Sequence, residues 1–216
     1  MGERPMSAAL LLIDLQNDFC PQGALAVPRG DEVIPVALQA VELAQRDGVP
    51  VIATQDWHPA DHGSFASQSG GQIGALGELN GLPQVWWPDH CIQNTIGAAF
   101  HPMLRDTAFD FVVHKGSDAT IDSYSAFFDN GQRAATALHG WLQQHGITHL
   151  WLLGLATDYC VKFSVLDALR LGYAVTVIQD GCRGVDLAPG DSERALAEMQ
   201  AAGATLSTLS EIDSLR

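Results

Sequence analysis

Cys160 stands where a helical pattern begins, a position that suits a nucleophile. It follows residues 154–159 (GLATDY) and precedes an apolar stripe at helical spacing, formed by Val161, Val165, Ala168 and Leu169. A thiol in the first turn of a helix faces the positive end of the helix dipole and free backbone N–H groups, which lower its pKa and can hold an oxyanion. Thr157 or Asp158 can cap this helix. Position alone fits a small buried apolar residue equally well, since free cysteines are often buried.

Asp14 and Lys115 each close an apolar segment. Asp14 follows residues 8–13, and Lys115 follows residues 111–114. A carboxylate partly removed from water has a raised pKa that suits proton transfer, and an ammonium beside it can stabilise an oxyanion. A solvated carboxylate at a strand end and a lysine in an ordinary ion pair are the alternatives.

Asp56 and His58 lie two residues apart, and His62, Ser64 and His90 follow further along the chain. In an extended segment the side chains at i and i+2 point the same way, so Asp56 and His58 can bind one ion. Oxygen and nitrogen ligands without a thiolate accept Zn²⁺, Fe²⁺ or Mn²⁺. Residues of these types also commonly bond to loop backbone, which is the alternative.

The pattern of the chain predicts how these residues meet. Apolar runs at 8–13, 49–54, 111–114, 149–153, 174–178 and 205–209 alternate with helical patterns at 33–46, 132–144, 158–171 and 191–202. Such alternation indicates an α/β fold with a parallel sheet, whose ligands bind at the carboxyl ends of the strands. Asp14, Asp56, Lys115 and the turn before Cys160 all follow predicted strands. Residues 59–102 are too long for an ordinary connection and are expected to form a functional loop region.

The composition argues against several classes of partner. The 216 residues carry 11 Lys and Arg against 25 Asp and Glu, and the formal net charge of −14 repels nucleic acid and anionic lipid. The apolar run at 8–13 is far too short to span a membrane, and no secretory signal is evident. We therefore expect a cytoplasmic protein with a small-molecule substrate. Its cysteines are widely spaced and are expected to be free thiols, at positions 20, 91, 160 and 182.

Several segments together resemble the isochorismatase-like cysteine hydrolases and, within that group, the bacterial nicotinamidases, also called pyrazinamidases. They are DLQNDF at 14–19, QDWHP at 55–59, WPDHC at 87–91, KG at 115–116, DSYSAF at 122–127 and GLATDYCV at 154–161. The resemblance implies one domain over residues 1–216, a three-layer α/β sandwich whose central, mainly parallel six-stranded sheet is flanked by helices. Residues 59–102 then form a long active-site loop region within it.

The resemblance also implies roles for individual residues. It implies a catalytic triad of Asp14, Lys115 and Cys160, and an oxyanion hole from the backbone N–H groups of Ala156 and Cys160, beside a cis peptide between Leu155 and Ala156. The implied metal ligands are Asp56, His58 and His90, with Ser64, His62 or water completing the set. The implied substrate-binding residues are Phe19, Trp87, Tyr124, Leu155 and Ala156; without the resemblance, core packing would explain the aromatic ones.

The implied activity is hydrolysis of nicotinamide to nicotinate and ammonia, and of pyrazinamide to pyrazinoate, through a thioester on the cysteine, in NAD salvage. One divalent metal ion is expected, with Zn²⁺ first and Fe²⁺ or Mn²⁺ as alternatives. Two other functions stay open: a metal-free hydrolase of the same fold, such as an isochorismatase or carbamoyl amidase, and a non-catalytic α/β binding protein. The resemblance does not decide between a monomer and a homo-oligomer.

Overall fold

The computed structural model describes residues 7–216, which are built around a six-stranded sheet of order β5-β2-β1-β6-β7-β8. Every neighbouring pair in this sheet is parallel. The strands are β1 (Ser7–Ile13), β2 (Val51–Asp56), β5 (Phe111–Lys115), β6 (Ile147–Leu155), β7 (Ala174–Arg183) and β8 (Thr205–Ser207), and a separate antiparallel hairpin joins β3 (Leu76–Leu79) to β4 (Leu82–Val85). The helices are α1 (Val33–Asp47), α2 (Ala66–Ser69), α3 (Leu138–Gln144), α4 (Lys162–Arg170) and α5 (Asp191–Ala201). The predicted α/β fold with a six-stranded parallel sheet is confirmed.

The central strand β1 explains why the sheet is covered on both faces. Its residues 8–13 are all buried, without the alternation that a solvated face would produce. The chain runs outward from β1 through β2 to β5, then returns to place β6 on the other side of β1. Since parallel crossovers are right-handed, this reversal puts helices on both faces and opens a crevice at the carboxyl ends of the strands.

Strand register brings charged residues level at that edge. Asp56 of β2 pairs directly with Lys115 of β5. On the other side, Ile13 of β1 pairs with Gly154 of β6, so Asp14 follows beside the turn that carries Cys160. A side chain at Gly154 would collide with the Ile13 carbonyl, and its φ of 137° is one that residues with a Cβ rarely adopt.

The predicted helix at 132–144 is wrong at its start, because α3 begins only at Leu138. The Asp129 carboxylate accepts hydrogen bonds from the backbone N–H groups of Gly131, Arg133 and Ala134. A side chain that occupies the backbone donors in this way competes with helix formation. The predicted strand at 205–209 is also shorter, since residues 209–211 form a 3-10 turn instead.

Residues 59–102 fold back over the carboxyl edge of the sheet. Isolated bridges tie His58 to Ile92 and Phe65 to Trp87. The segment contains α2 and the β3–β4 hairpin and thereby holds Trp87 and His90 above the strand ends. Within residues 7–216, we find no helix with the length and apolar character that crossing a membrane requires.

Candidate active site

The Lys115 ammonium is the centre of a buried polar cluster. Its Nζ lies 2.8 Å from Asp14 Oδ2 and 3.3 Å from Cys160 Sγ, and it also contacts Asp56 Oδ1. The Ser123 carbonyl accepts a further hydrogen bond from it at 3.1 Å. One cation from β5 therefore joins a carboxylate after β1, a carboxylate at the end of β2 and the thiol after β6.

Asp14 is held rigidly against β2. Its backbone adopts a φ of 51°, and its N–H donates to Thr54 Oγ1 at 3.1 Å. The Thr54 hydroxyl donates in turn to Asp14 Oδ1 at 2.6 Å, which leaves Oδ2 directed at Lys115. Burial raises the pKa of the Asp14 carboxyl, and the Lys115 charge opposes that rise. A proton-accepting carboxylate of raised pKa is what general base catalysis needs.

The pKa of the Cys160 thiol is raised, whereas the sequence predicts a lowered pKa. Burial raises its pKa well above the ordinary value, and the Lys115 ammonium only partly offsets this effect. A single helix end contributes less than the loss of water around a completely buried sulfur. The thiol therefore carries its proton in the resting protein and needs a base to become a nucleophile. An Asp14 carboxylate oxygen lies within 4.8 Å of the sulfur.

The helix that carries Cys160 begins in an unexpected way. Residues Thr157–Val161 form a π-helical turn, α4 starts only at Lys162, and no side-chain cap occurs at this end within the described chain. The predicted cap by Thr157 or Asp158 is therefore wrong. The Asp158 carboxylate instead accepts from the backbone N–H groups of Val185 and Asp186 and ties the turn to the loop after β7. The peptide between Leu155 and Ala156 is cis, as expected.

Asp56, His58 and His90 bring their ligand atoms within 4.8 Å of one another, beside the Lys115 cluster. His58 Nδ1 donates to the Gly116 carbonyl and His90 Nδ1 to the Pro88 carbonyl, each at 2.7 Å. Carbonyl oxygens only accept, so in the neutral form of each ring Nε2 is the nitrogen with a free lone pair, and it lies 3.5 Å (His58) and 3.6 Å (His90) from Asp56 Oδ2.

The donor set therefore fits a divalent metal ion. His58 Nε2 is buried and has no hydrogen-bond partner among residues 7–216, although a buried nitrogen is normally satisfied. Histidines that ligate metals usually donate their other ring N–H to a carbonyl, as both rings do here. Gly116 makes this possible, since a Cβ there would press into the His58 ring.

Ser64 and His62 occupy a neighbouring position. The Ser64 hydroxyl lies 2.8 Å from His62 Nδ1, which also accepts the Ser64 N–H, while His62 Nε2 lies 3.2 Å from the Ile121 carbonyl. Both ring nitrogens of His62 are thus engaged within the described chain. Ligand atoms of His62, His58 and Asp122 form a second group within 4.8 Å. The assignment of Ser64 as a ligand stays a prediction.

A narrow cavity opens onto both clusters. Trp87 and Tyr124 form one part of its wall, where Trp87 Nε1 donates to the Tyr124 hydroxyl at 3.1 Å. The Trp87 ring also meets Tyr159 edge to face at 5.0 Å. The lining is mostly apolar with a few polar groups, as suits a small flat ligand: Phe19, Leu25, Val27, Asp56, Trp87, His90, Asp122, Tyr124, Ala156, Tyr159, Cys160 and Val185.

Comparisons with known proteins agree with this arrangement. Residues 8–211 match the isochorismatase domain model. The chain belongs to the isochorismatase family. Within this family, it is 60% identical to the nicotinamidase of Escherichia coli K12 over 203 residues, which cover 94% of this chain and 95% of that protein.

Two solved structures are similar to this chain over nearly its whole length. The nicotinamidase/pyrazinamidase of Acinetobacter baumanii superposes with a TM-score of 0.90 at 40% identity, covering 97% of this chain and 99% of that one. The pyrazinamidase of Pyrococcus horikoshii in complex with zinc has a TM-score of 0.78 at 35% identity, covering 94% and 99% respectively. The predicted resemblance to this group is confirmed.

The fold of this chain brings most of the predicted site residues together at the carboxyl edge of the sheet. Asp14, Lys115 and Cys160 are in one cluster, and the cavity is lined by Phe19, Trp87, Tyr124 and Ala156. Leu155 is completely buried and does not line the cavity in the described structure.

Three polar residues of this site were not predicted from the sequence. Thr54 fixes the Asp14 carboxylate, Gln84 donates to both Asp122 and the Tyr124 hydroxyl, and Gln16 bonds to the Asp56 backbone. A signal for Thr54 and Gln16 was present, because each is a polar residue two positions from a predicted site residue. In an extended segment, such a residue points toward the same side.

Proposed function

We propose that this chain hydrolyses nicotinamide to nicotinate and ammonia, and pyrazinamide to pyrazinoate, and that it serves pyridine nucleotide salvage. The observation that carries the proposal is the contact of one buried lysine with the thiol and with two carboxylates. Two of these groups, the Cys160 thiol and the Asp56 carboxylate, also line a cavity walled by aromatic rings. A hydrolytic thiol, a base and a cation suit amide cleavage, and the aromatic walls suit a flat ring.

In the first step, Asp14 accepts the Cys160 proton while the sulfur attacks the carboxamide carbon. Burial raises the pKa of both groups, which favours a protonated thiol and a carboxylate that accepts its proton readily. Lys115, at 3.3 Å from the sulfur, stabilises the thiolate as it forms.

The carbonyl oxygen becomes an oxyanion, and the backbone N–H groups of Ala156 and Cys160 are the donors proposed to stabilise it. Asp14 then returns its proton to the departing nitrogen, the C–N bond breaks, and ammonia leaves an acyl thioester on Cys160. Water attacks the thioester carbon with Asp14 again taking a proton, and the thiol is restored as the carboxylate product leaves.

Asp56, His58 and His90 would hold one divalent metal ion, with Zn²⁺ as the proposed metal and Fe²⁺ or Mn²⁺ as alternatives that the same donors accept. When bound, such an ion supplies a Lewis acid for the pyridine nitrogen, which orients the ring. Phe19, 5.7 Å from the His90 ring, and Trp87 would flank the ring and direct the carboxamide toward Cys160. The zinc-bound relative from Pyrococcus horikoshii supports this choice of metal.

The test is ammonia release from nicotinamide by zinc-loaded wild type, by Cys160→Ala and by chelated wild type. Cys182→Ala is the matched control, because Cys182 is also a buried free thiol but does not line the cavity in the described chain. We expect release by wild type and Cys182→Ala, and loss of release in Cys160→Ala and after chelation. A folded, zinc-loaded wild type that releases no ammonia would refute nicotinamide as substrate. Undiminished release after chelation would favour a metal-free hydrolase.

A further inference from the structure

The Gln16 side chain makes an unusual set of contacts with the backbone of a site residue. It is completely buried. Its Oε1 accepts the Asp56 N–H at 2.9 Å, and its Nε2 donates to the Asp56 carbonyl at 2.8 Å. The same Nε2 donates to the Ala98 carbonyl at 2.9 Å. One amide thereby holds both backbone polar groups of Asp56 and links them to the loop that precedes the β5 region.

The orientation of Asp56 matters because its carboxylate serves two clusters at once. Oδ1 contacts the Lys115 ammonium, and Oδ2 lies 3.5 and 3.6 Å from the Nε2 atoms of His58 and His90. Asp56 is the last residue of β2, and just beyond it the Trp57 N–H still donates to the Lys115 carbonyl of β5 at 2.8 Å, while Gln16 holds the backbone of Asp56 itself. A small rotation of this residue would move one oxygen away from the lysine or the other away from the imidazoles.

Gln16 also connects this carboxylate to Asp14. Its backbone N–H donates to the Asp14 carbonyl at 2.8 Å. The side chain therefore ties the chain just after β1 to the end of β2, across the two carboxylates that share Lys115. The side chain reaches neither the cavity lining nor the ligand atoms themselves.

We propose that Gln16 is a positioning residue that holds the Asp56 carboxylate between Lys115 and the two imidazoles, and so sets the affinity of the site for a divalent metal ion. Residues that orient metal ligands from behind typically change metal affinity about 10- to 100-fold when they are replaced. The inference rests on the metal site of the proposed function and is independent of the substrate.

The experiment measures Zn²⁺ affinity of the purified full chain by competition with a chromophoric chelator. Gln16→Met removes the amide and keeps the length of the side chain, whereas Gln16→Asn keeps an amide that is one methylene too short. Gln55→Met is the matched control. Gln55 is a neighbouring buried glutamine that donates to the same Ala98 carbonyl at 2.9 Å and accepts from His114, without bonding to the Asp56 backbone. Thermal unfolding of each metal-free variant shows that it is folded at the assay temperature.

We expect both Gln16 variants to bind Zn²⁺ about 10- to 100-fold more weakly than wild type, and Gln55→Met to stay within about twofold. Excess Zn²⁺ should restore ammonia release from nicotinamide in the Gln16 variants, which a purely structural defect would not allow. Folded Gln16 variants with unchanged Zn²⁺ affinity would overturn the inference, and so would a wild type that binds no Zn²⁺. If both variants unfold, Gln16 serves stability and the inference is again overturned. The Zn²⁺ affinity is measured without substrate, so a finding that nicotinamide is not the substrate would not change the outcome of this experiment.

Discussion

Replacement of Lys115 by methionine is the sharpest test of the buried charge cluster. Methionine keeps the length of the side chain but removes the only charge that contacts both Asp14 and Asp56 in the described structure. The Lys115 side chain and that of Asp14 are wholly shielded from solvent, so water cannot replace the lost partner. We expect the variant to be strongly destabilised and inactive.

The magnitude follows from the geometry. At 2.8 Å between Lys115 Nζ and Asp14 Oδ2, an effective dielectric constant of about 20 gives an attraction of about 6 kcal/mol. The cost of removing these charges from water offsets part of that attraction in the native protein. Loss of one partner from a buried pair typically lowers the free energy of unfolding by about 3–5 kcal/mol, because an uncompensated charge stays behind. The second contact, with Asp56, favours the upper part of this range.

Urea denaturation in the presence of a chelator measures the effect without compensation by a metal ion. Arg29→Met is the matched control, since Arg29 pairs with Glu32 at the same 2.8 Å but on the surface, where its side chain is 70% exposed. Its loss should leave the urea midpoint nearly unchanged. The double variant Asp14→Asn/Lys115→Met should be more stable than Lys115→Met alone, because one of the two unpaired carboxylates is gone.

A Lys115→Met variant whose urea midpoint matches that of Arg29→Met would refute this reasoning. A double variant that is less stable than Lys115→Met would refute the part that assigns the loss to an unpaired carboxylate.

Three further predictions concern catalysis, the metal and pH. Asp14→Asn should stay folded, since Lys115 retains its second carboxylate, but ammonia release should fall about 10²- to 10⁴-fold; turnover within a few-fold of wild type would exclude Asp14 as the base. Removal of the metal should raise the Kd for nicotinamide, measured on Cys160→Ala, by a larger factor than it slows the rate of alkylation of the wild-type Cys160 thiol. An unchanged Kd would contradict an orienting role of the metal. The Arg46 guanidinium and hydrogen-bond donors from residues 214–215 lower the pKa of the Asp47 carboxyl. The stabilising effect of the Asp47 carboxylate is therefore present above the unfolded-state pKa of about 3.9 and is lost progressively as the pH falls below it. The urea midpoint of Asp47→Asn should therefore lie below that of wild type near about pH 6, and the difference should shrink progressively as the pH falls below about 4, whereas a constant difference would contradict the assignment.

Several features of the fold could be predicted because they depend on local pattern. The run at 8–13 is continuously apolar, and only a strand covered on both faces fits so short a run. Asp14, Asp56 and Lys115 could be placed together before the structure was considered, since parallel strands bring their carboxyl ends to one edge. The cytoplasmic location, the oligomeric state and the extent of a single domain stay predictions.

Errors in the prediction arose where a distant or irregular contact competed with local preference. The Asp129 carboxylate occupies backbone donors that a helix from residue 132 would need, and α3 begins later for that reason. Asp158 looked like a helix cap, but its carboxylate bonds to Val185 and Asp186, which lie far along the chain. Hydrophobic periodicity contains no information about such partners.

The sequence by itself determined the order of the six sheet strands along the chain, the chemical types of the site residues and the strand ends that carry them, because these follow from apolar periodicity and from segments of recognisable type. It did not predict α2 or the β3–β4 hairpin within residues 59–102. Only the tertiary structure decided that the pKa of the Cys160 thiol is raised and not lowered, since desolvation depends on every element that packs around the sulfur. It also decided which side chains hold Asp56, because Gln16 lies 40 residues from Asp56 and 82 from Ala98 along the chain. Contacts of that separation exist only after the sheet has assembled.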